Sequence, residues 1–244
     1  MNLIVDIGNT RIKIAVFDNR NQMIFYTPVT PENFIKTVQN LEQKYKLTHA
    51  GISQVGKKPK GFDEFFKTRK IFSVYINSNI HLPFQLNYQT PHSLGADRLA
   101  LVAGAVSKQP EHNTLIIDAG TCVTYDFIDK DNIYHGGAIS PGLQLRYQSL
   151  NNYTAKLPLL TPPENEILPV GNNTQNAIHS GVIFGLVHEI EGFIVKYNLK
   201  FKDLTVYLTG GDQKLLDRYI KNKIFVSSKF LLLEGINHLL NLNK

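Results

Sequence analysis

The 244-residue chain can hold one large domain or two small ones with real cores. It is 43% hydrophobic and 19% charged, which describes an ordinary soluble globular protein, and its single cysteine, Cys122, excludes an intramolecular disulfide. The net charge of +6 would suit nucleic acid, but equally solubility or the attraction of anionic substrates such as nucleotides. In chain order, LIVDIGNTRIKIAVFDN (Leu3 to Asn19) reads as two strands joined by a polar turn. A plain two-residue hairpin would ask for Asn-Gly or Asp-Gly there. Instead Asp6, Asn9, Thr10, Arg11 and Lys13 gather around Gly8, which points to a ligand, with phosphate the first candidate. Thr30 and Pro31 suit a helix start, and Phe34, Val38, Leu41 and Tyr45 recur at helical spacing. Strands follow at Ala50 to Val55 and Ile71 to Ile76, then an irregular stretch from Leu82 to Pro91. GADRLALVAGAVSK, from Gly95, reads as a helix rich in small residues with a polar start at Asp97 and Arg98.

At Leu115 the opening pattern begins again. LIIDAGTCVTYDFID can be laid on LIVDIGNTRIKIAVFD without a gap through the turn, so that Asp118 falls on Asp6, Gly120 on Gly8, Thr121 on Asn9 and Tyr125 on Lys13. Two such copies predict a duplicated α/β domain rather than a solenoid. The boundary is expected near Glu111 to Asn113, which gives domains 1–113 and 114–244. Beyond the second turn, GGAISPGLQLRYQSL combines glycines and a proline before a helix, and a Pro-rich loop runs from Thr161 to Gly171. Thr174 starts a long helix in which Gly181 and Gly185 share a face. Gly inside a helix costs roughly 1 kcal/mol against Ala, so this pair predicts close packing against another backbone. LTVYLTGGD ends a strand in Gly210 and Gly211, and Phe230 to Leu242 reads as an amphipathic helix weakened by Gly235.

The chemistry of these residues narrows the ligand. Gly8 lets the main chain approach a ligand closely, and the amides with the Asn9 and Thr10 side chains can donate to phosphate oxygens. Asp6 only accepts at neutral pH, so it should face hydrated Mg²⁺, while Lys13 meets terminal phosphates as a point charge. Asp97 could simply complement a helix dipole, or it could accept a proton from a hydroxyl with Arg98 holding an anionic group. GISQVGKK (Gly51 to Lys58) has the spacing of a Walker loop but lacks the Ser or Thr that would ligate Mg²⁺, and reads as coincidence. Lys57, Lys58, Lys60, Lys67, Arg69 and Lys70 read as a solvated segment, and Cys122 as a packing residue. No CxxC or HExxH spacing supports zinc. The N-terminus lacks the pattern of a signal peptide, and no uninterrupted apolar run reaches about 18 residues, so neither secretion nor a membrane span is expected.

Together the motifs DIGNTRIK, NYQTPHSLGADR, DAGTCVTYD, GGAISPG, TQNAIHSG and TGGD resemble the acetate kinase/sugar kinase/Hsp70/actin superfamily, and within it the type III pantothenate kinases. The resemblance spans almost the whole chain. It implies an α/β fold of duplicated actin-like (ribonuclease H-like) domains with a nucleotide cleft between them. It further implies ATP-dependent phosphorylation of pantothenate to 4'-phosphopantothenate, the first step toward coenzyme A, in the cytoplasm. By family pattern Asp97 is the proton acceptor, and Tyr88, Gly95, Ala96 and Arg98 line the pantothenate site. Asp6, Ile7, Gly8, Asn9, Thr10, Arg11, Ile12 and Lys13, with Gly120 and Thr121, hold ATP, and Asp6 meets Mg²⁺ through water. Gly210 and Gly211 lie where adenosine could rest. Asp118 matches a monovalent-cation position, filled by K⁺ or NH₄⁺, and Thr174 matches a substrate contact made across a homodimer with a shared active site. Cys122 stands where alanine is commoner in the family, a mild departure. A regulatory protein on the same fold would need a helix-turn-helix or a basic stripe, and neither is apparent, so no nucleic-acid partner is expected. A kinase for another small alcohol remains the other reading.

Overall fold

The computed structural model describes residues 1–221 and 225–244. They form two compact units, one of residues 1–111, 131–135 and 230–244, the other of residues 112–130 and 136–229. In the first, β1 (Asn2–Ile7), β2 (Ile12–Phe17), β3 (Met23–Val29), β4 (His49–Gln54) and β5 (Phe72–Tyr75) make a sheet in the order β3-β2-β1-β4-β5. β2 is antiparallel to β1 and β3, whereas β4 runs parallel to β1 and β5. β1 is buried along its whole length because both its faces are covered. Leu3, Val5 and Ile7 point to Phe34, Val38 and Leu41 of α1 (Phe34–Lys44) and to Phe62, Phe65 and Phe66 of α2 (Phe62–Arg69). The alternate residues, Ile4 and Asp6 among them, face α3 (Ala96–Lys108) and the C-terminal helix (Leu231–Leu242). Thr30 does not cap α1 directly: Pro31–Asn33 forms a 3-10 turn first, and Asn33 Nδ2 donates to Thr30 Oγ1 at 3.2 Å. The irregular stretch before α3 contains a two-residue strand, β6 (Gln85–Leu86), parallel to Ile133 and Tyr134.

The C-terminal helix, expected with the second domain, belongs to the first unit. Gly104 of α3 and Gly235 permit this: a Cβ on Gly235 would lie 1.8 Å from the Ala100 carbonyl oxygen, and one on Gly104 would lie 2.5 Å from that of Leu231. The glycine that weakens the helix pattern is the one that lets two backbones touch. Asn2 adds a polar latch, donating to Asn237 Oδ1 at 2.7 Å and to Asn241 Oδ1 at 3.0 Å.

In the second unit β7 (Thr114–Ala119), β8 (Cys122–Ile128), β9 (Ile133–Pro141, its first three residues counted with the first unit), β10 (Thr205–Thr209) and β11 (Phe225–Ser227) follow the order β9-β8-β7-β10-β11, with β6 beside β9. β7 is antiparallel to β8 and parallel to β10, and β10 is parallel to β11. This is the strand order of the first unit again, so the repeated sequence is a repeated fold. Helices α4 (Leu143–Asn152), α5 (Thr174–Lys200) and α6 (Gln213–Tyr219) complete the unit. The gapless superposition of the two copies fails after the turn. β1 pairs Asp6 with Lys13, but β7 pairs Asp118 with Thr124, so the second turn is one residue shorter and Tyr125 is not the counterpart of Lys13.

α5 is long and apolar enough to cross a membrane by length and composition. One side of it, including Ile178, Val182, Ile183, Leu186, Ile190 and Ile194, is packed into the core formed with Leu115, Ile117 and Leu208, as in a core helix of a globular unit. The opposite side carries Thr174, Ala177, Gly181, Gly185, His188, Gly192, Val195 and Leu199, all exposed. A Cβ on Gly181, Gly185 or Gly192 would meet nothing within 4 Å, so the close packing expected there is not made inside the chain.

Candidate active site

The turn after β1 is closed by the Gly8 amide donating to the Arg11 carbonyl at 3.2 Å, which leaves Asn9, Thr10 and Arg11 exposed at its tip. Ile7 and Ile12 are buried and anchor its two ends. Asp6 is only 3% exposed and is held on both oxygens: the Lys13 ammonium donates to Oδ2 at 3.1 Å and the Ser53 hydroxyl to Oδ1 at 3.3 Å. Register explains the trio, since Lys13 on β2 and Ser53 on β4 both stand opposite Asp6. The β4–α2 loop buttresses the turn from behind. The Val55 and Gly56 amides donate to the Ile7 carbonyl at 3.0 and 2.8 Å, and a Cβ on Gly56 would lie 2.1 Å from the Gly8 oxygen. The glycine of the Walker-like stretch is therefore a wedge under the β1–β2 turn. Of the neighbouring lysines, Lys58 is engaged by Asp63 at 2.6 Å and by the Tyr75 ring.

Asp97 sits in the first turn of α3, on the side of the sheet that carries Asp6. Its Oδ1 accepts from the Arg98 amide at 2.8 Å. Burial raises its proton affinity above that of an ordinary Asp, and the negative charge of Asp6 adds to the effect, against the stabilising Arg98 amide and guanidinium. Gly95 keeps this approach open, because a Cβ there would stand 2.5 Å from Asp97 Oδ1. Ala96 and Arg98 are buried beside it. Tyr88 is half-buried, its ring 6.1 Å from that of Tyr134, and the Asn87 amide fixes this segment by donating to the Tyr134 carbonyl at 2.9 Å.

In the second unit the Gly120 amide donates to the Cys122 carbonyl at 3.0 Å, closing the shorter turn with Thr121 exposed at its tip and Asp118 half-buried at its base. Two backbones press on it. Gly210, at φ +103°, passes so close that a Cβ would lie 2.2 Å from the Ala119 oxygen, and Gly142 leaves 2.1 Å to the Gly120 oxygen. Gly211 is exposed beside Gly210. The Asp212 amide donates to the Ala119 carbonyl at 3.0 Å, and burial raises the Asp212 carboxyl above its ordinary range.

The corner leading to Gly142 is braced by a charged network. Glu189 on α5 accepts from Tyr125 Oη at 2.8 Å, from Ser140 Oγ at 3.0 Å and from Arg146, whose Nε donates to the Pro141 carbonyl at 2.8 Å. Burial works to raise the Glu189 carboxyl, but these three donors outweigh it and hold it below the usual range. Thr174 is exposed at the start of α5 and lines a cavity of about 610 Å³ with Arg146, Leu150, Leu157, Ala177 and Gly181. Ser53, Gly56 and Gly142 are supporting residues that sequence reasoning did not single out, although Gly142 lies inside GGAISPG and Ser53 and Gly56 inside the Walker-like stretch that reads as coincidence.

A family model described as type III pantothenate kinase matches residues 2–196. A type III pantothenate kinase from Flavobacterium psychrophilum is 46% identical over 100% of this chain and 100% of its own. Among solved structures, a Campylobacter jejuni protein named for the Baf family of transcriptional activators superposes with a TM-score of 0.64 at 21% identity, covering 98% of this chain and 97% of its own. An inorganic polyphosphate/ATP-glucomannokinase from Arthrobacter sp. strain KM superposes at 0.51 and 13% identity over 100% of both chains. At such identities the structural likenesses speak for the fold alone, the duplicated actin-like α/β fold of the sugar kinases.

Proposed function

This chain belongs to the type III pantothenate kinase family and phosphorylates pantothenate with ATP on the way to coenzyme A; we propose that Asp97 takes the proton of the attacked hydroxyl in an in-line phosphoryl transfer. The observation that carries this role is the half-buried Asp97 carboxylate within electrostatic reach of Asp6, its proton affinity raised. A base with raised affinity is better matched to a hydroxyl proton than an ordinary Asp, and a loose transition state asks for the proton late. Asp97 therefore orients the hydroxyl first and receives its proton as the phosphoryl group leaves ATP. Gly95, Ala96, Arg98 and Tyr88 hold pantothenate around it, with the Arg98 guanidinium toward the carboxylate end.

Residues Asp6 to Lys13 hold ATP phosphates through the turn amides and side chains, as do Gly120 and Thr121, and Gly210 and Gly211 lie under the adenosine. Asp6 suits hydrated Mg²⁺: it is an acceptor-only group whose oxygens are oriented by Lys13 and Ser53. The bound metal supplies neutralisation of phosphate charge. Asp118 is assigned to a monovalent cation, K⁺ or NH₄⁺. The enzyme works as a cytoplasmic homodimer in which Thr174 of one copy reaches the pantothenate of the other. Supporting this reading are the exposed stripe of small and apolar residues on α5 and the cavity that Thr174 lines at its start.

The test is ADP release across pantothenate, pantetheine and sugars, with and without Mg²⁺ and with K⁺ or Na⁺. Release should require pantothenate, Mg²⁺ and K⁺, and Asp97→Asn should lower kcat by roughly 10²–10⁴-fold while nucleotide binding persists. Pantothenate giving no more ADP than buffer would overturn the substrate, and wild-type turnover in Asp97→Asn would remove the base.

A further inference from the structure

The two sheets place equivalent rows of side chains across three neighbouring strands. In the first unit the row is Lys13–Asp6–Ser53, on β2, β1 and β4. In the second it is Thr124–Asp118–Thr209, on β8, β7 and β10. Strand order and direction agree, so Thr124 stands where Lys13 stands, and Thr209 where Ser53 does. In the first row an ammonium stands on the central carboxylate at 3.1 Å. The second keeps the carboxylate but has a hydroxyl in place of the lysine. Thr124 Oγ1 is buried, and among the described residues it has no hydrogen-bond partner. A buried hydroxyl left so costs roughly 1–3 kcal/mol, so a group that takes up its lone pairs is favoured there. Facing side chains on adjacent strands have Cβ atoms about 4.5–5.5 Å apart, close enough for one ion to touch an oxygen from each.

We infer that Thr124 is a ligand, with Asp118, of a monovalent cation, and that this cation takes the place which the Lys13 ammonium holds in the first repeat. The inference rests on the assignment of such a cation to Asp118. One tethered positive charge in the first row predicts one positive charge in the second, so the site takes an alkali ion or ammonium and not a divalent metal. The donors are a carboxylate and a hydroxyl, both hard oxygens, and Thr209, only 3% exposed, flanks the carboxylate from the other side.

The experiment uses the full-length protein with Thr124→Val, Thr124→Ser, Thr124→Lys and Asp118→Asn variants. Thermal unfolding is followed in KCl against choline chloride at equal ionic strength, and Tl⁺ is located by anomalous diffraction. Wild type should be stabilised by K⁺ and should show Tl⁺ between Asp118 and Thr124. Thr124→Val should need about tenfold or more K⁺ for the same shift, and Thr124→Ser should restore the response. Thr124→Lys should lose its response to K⁺ and turn over without it, a tethered ammonium having replaced the ion. A wild-type K⁺ shift that survives unchanged in Thr124→Val, or Tl⁺ bound away from Thr124, overturns the inference while leaving the Asp118 assignment intact. A wild type with no K⁺ response and no Tl⁺ at Asp118 overturns both, and water alone beside Thr124 then accounts for the site.

Discussion

At the scale of single residues, the role proposed for Asp97 sets chemistry against stability. Its proton affinity is raised in the folded protein by burial and by Asp6. The folded state therefore holds the proton more tightly than the unfolded chain. Any stability this group contributes is present below the unfolded Asp value of about 3.9 and is lost as pH rises through the folded value. Ionised Asp97 is thus a stability cost at neutral pH. Asp97→Asn should unfold a few degrees higher than wild type at pH 7–8, with the gain vanishing in acid, even as the proposed role has it lower kcat. Unfolding followed by circular dichroism across pH would check it, and a gain that is the same at every pH would contradict it. Asp6, Gly8, Lys13 and Asp97 were legible in the sequence because each lies within a short run whose chemistry is local. Ser53 and Gly56 were not, for their roles come from register and from a loop folded under the turn. A lone serine or glycine at the end of a strand carries no mark of such a partner.

At the scale of elements, the helices show where propensity and packing disagree. Gly235 to Ala in an isolated helix would stabilise by about 1 kcal/mol. Here the added methyl would meet the Ala100 carbonyl oxygen at 1.8 Å, backbone against backbone. Overpacking of this kind costs typically about 1–3 kcal/mol, so Gly235→Ala should lower stability in urea unfolding. Gly181→Ala, with open space at its Cβ, should not. Strand and helix positions were readable from periodicity, as in α1, whose Phe34, Val38 and Leu41 are all buried. What periodicity did not reveal was which helix used its glycines for contact within the chain. The pair in α5 drew attention by sharing a face, yet the contacts are made by Gly104 and Gly235, whose partner is more than a hundred residues away in sequence.

For the whole molecule, the internal repeat carried most of the fold, since two copies of one motif announced two units of one topology. The single-residue difference in turn length was hidden because both turns are polar and glycine-containing, and only the strand pairing reveals it. The proposed homodimer would be governed by the exposed side of α5. Gly185→Leu fills space that is open within the chain, so the variant should fold with wild-type circular dichroism. It should sediment as a monomer and lose about tenfold or more in kcat/KM for pantothenate. A dimeric, fully active variant would rule this helix face out as the interface.

The C-terminal helix sets the order in which the chain can acquire its structure as it is made. The second unit is finished by residue 229, but the first unit, begun at Met1, still lacks Leu231–Leu242. Leu231, Leu233, Ile236, Leu239 and Leu240 are all buried there, each contributing about 1.5–3 kcal/mol, together of the order of a whole domain's net stability. During synthesis the first unit therefore closes only after the second is complete, its sheet and α3 left with an uncovered apolar face until Leu231–Leu242 has emerged. A chain lacking Leu231–Leu242 would lose far more than one helix: the turn between β1 and β2 would be left on an open, aggregation-prone scaffold.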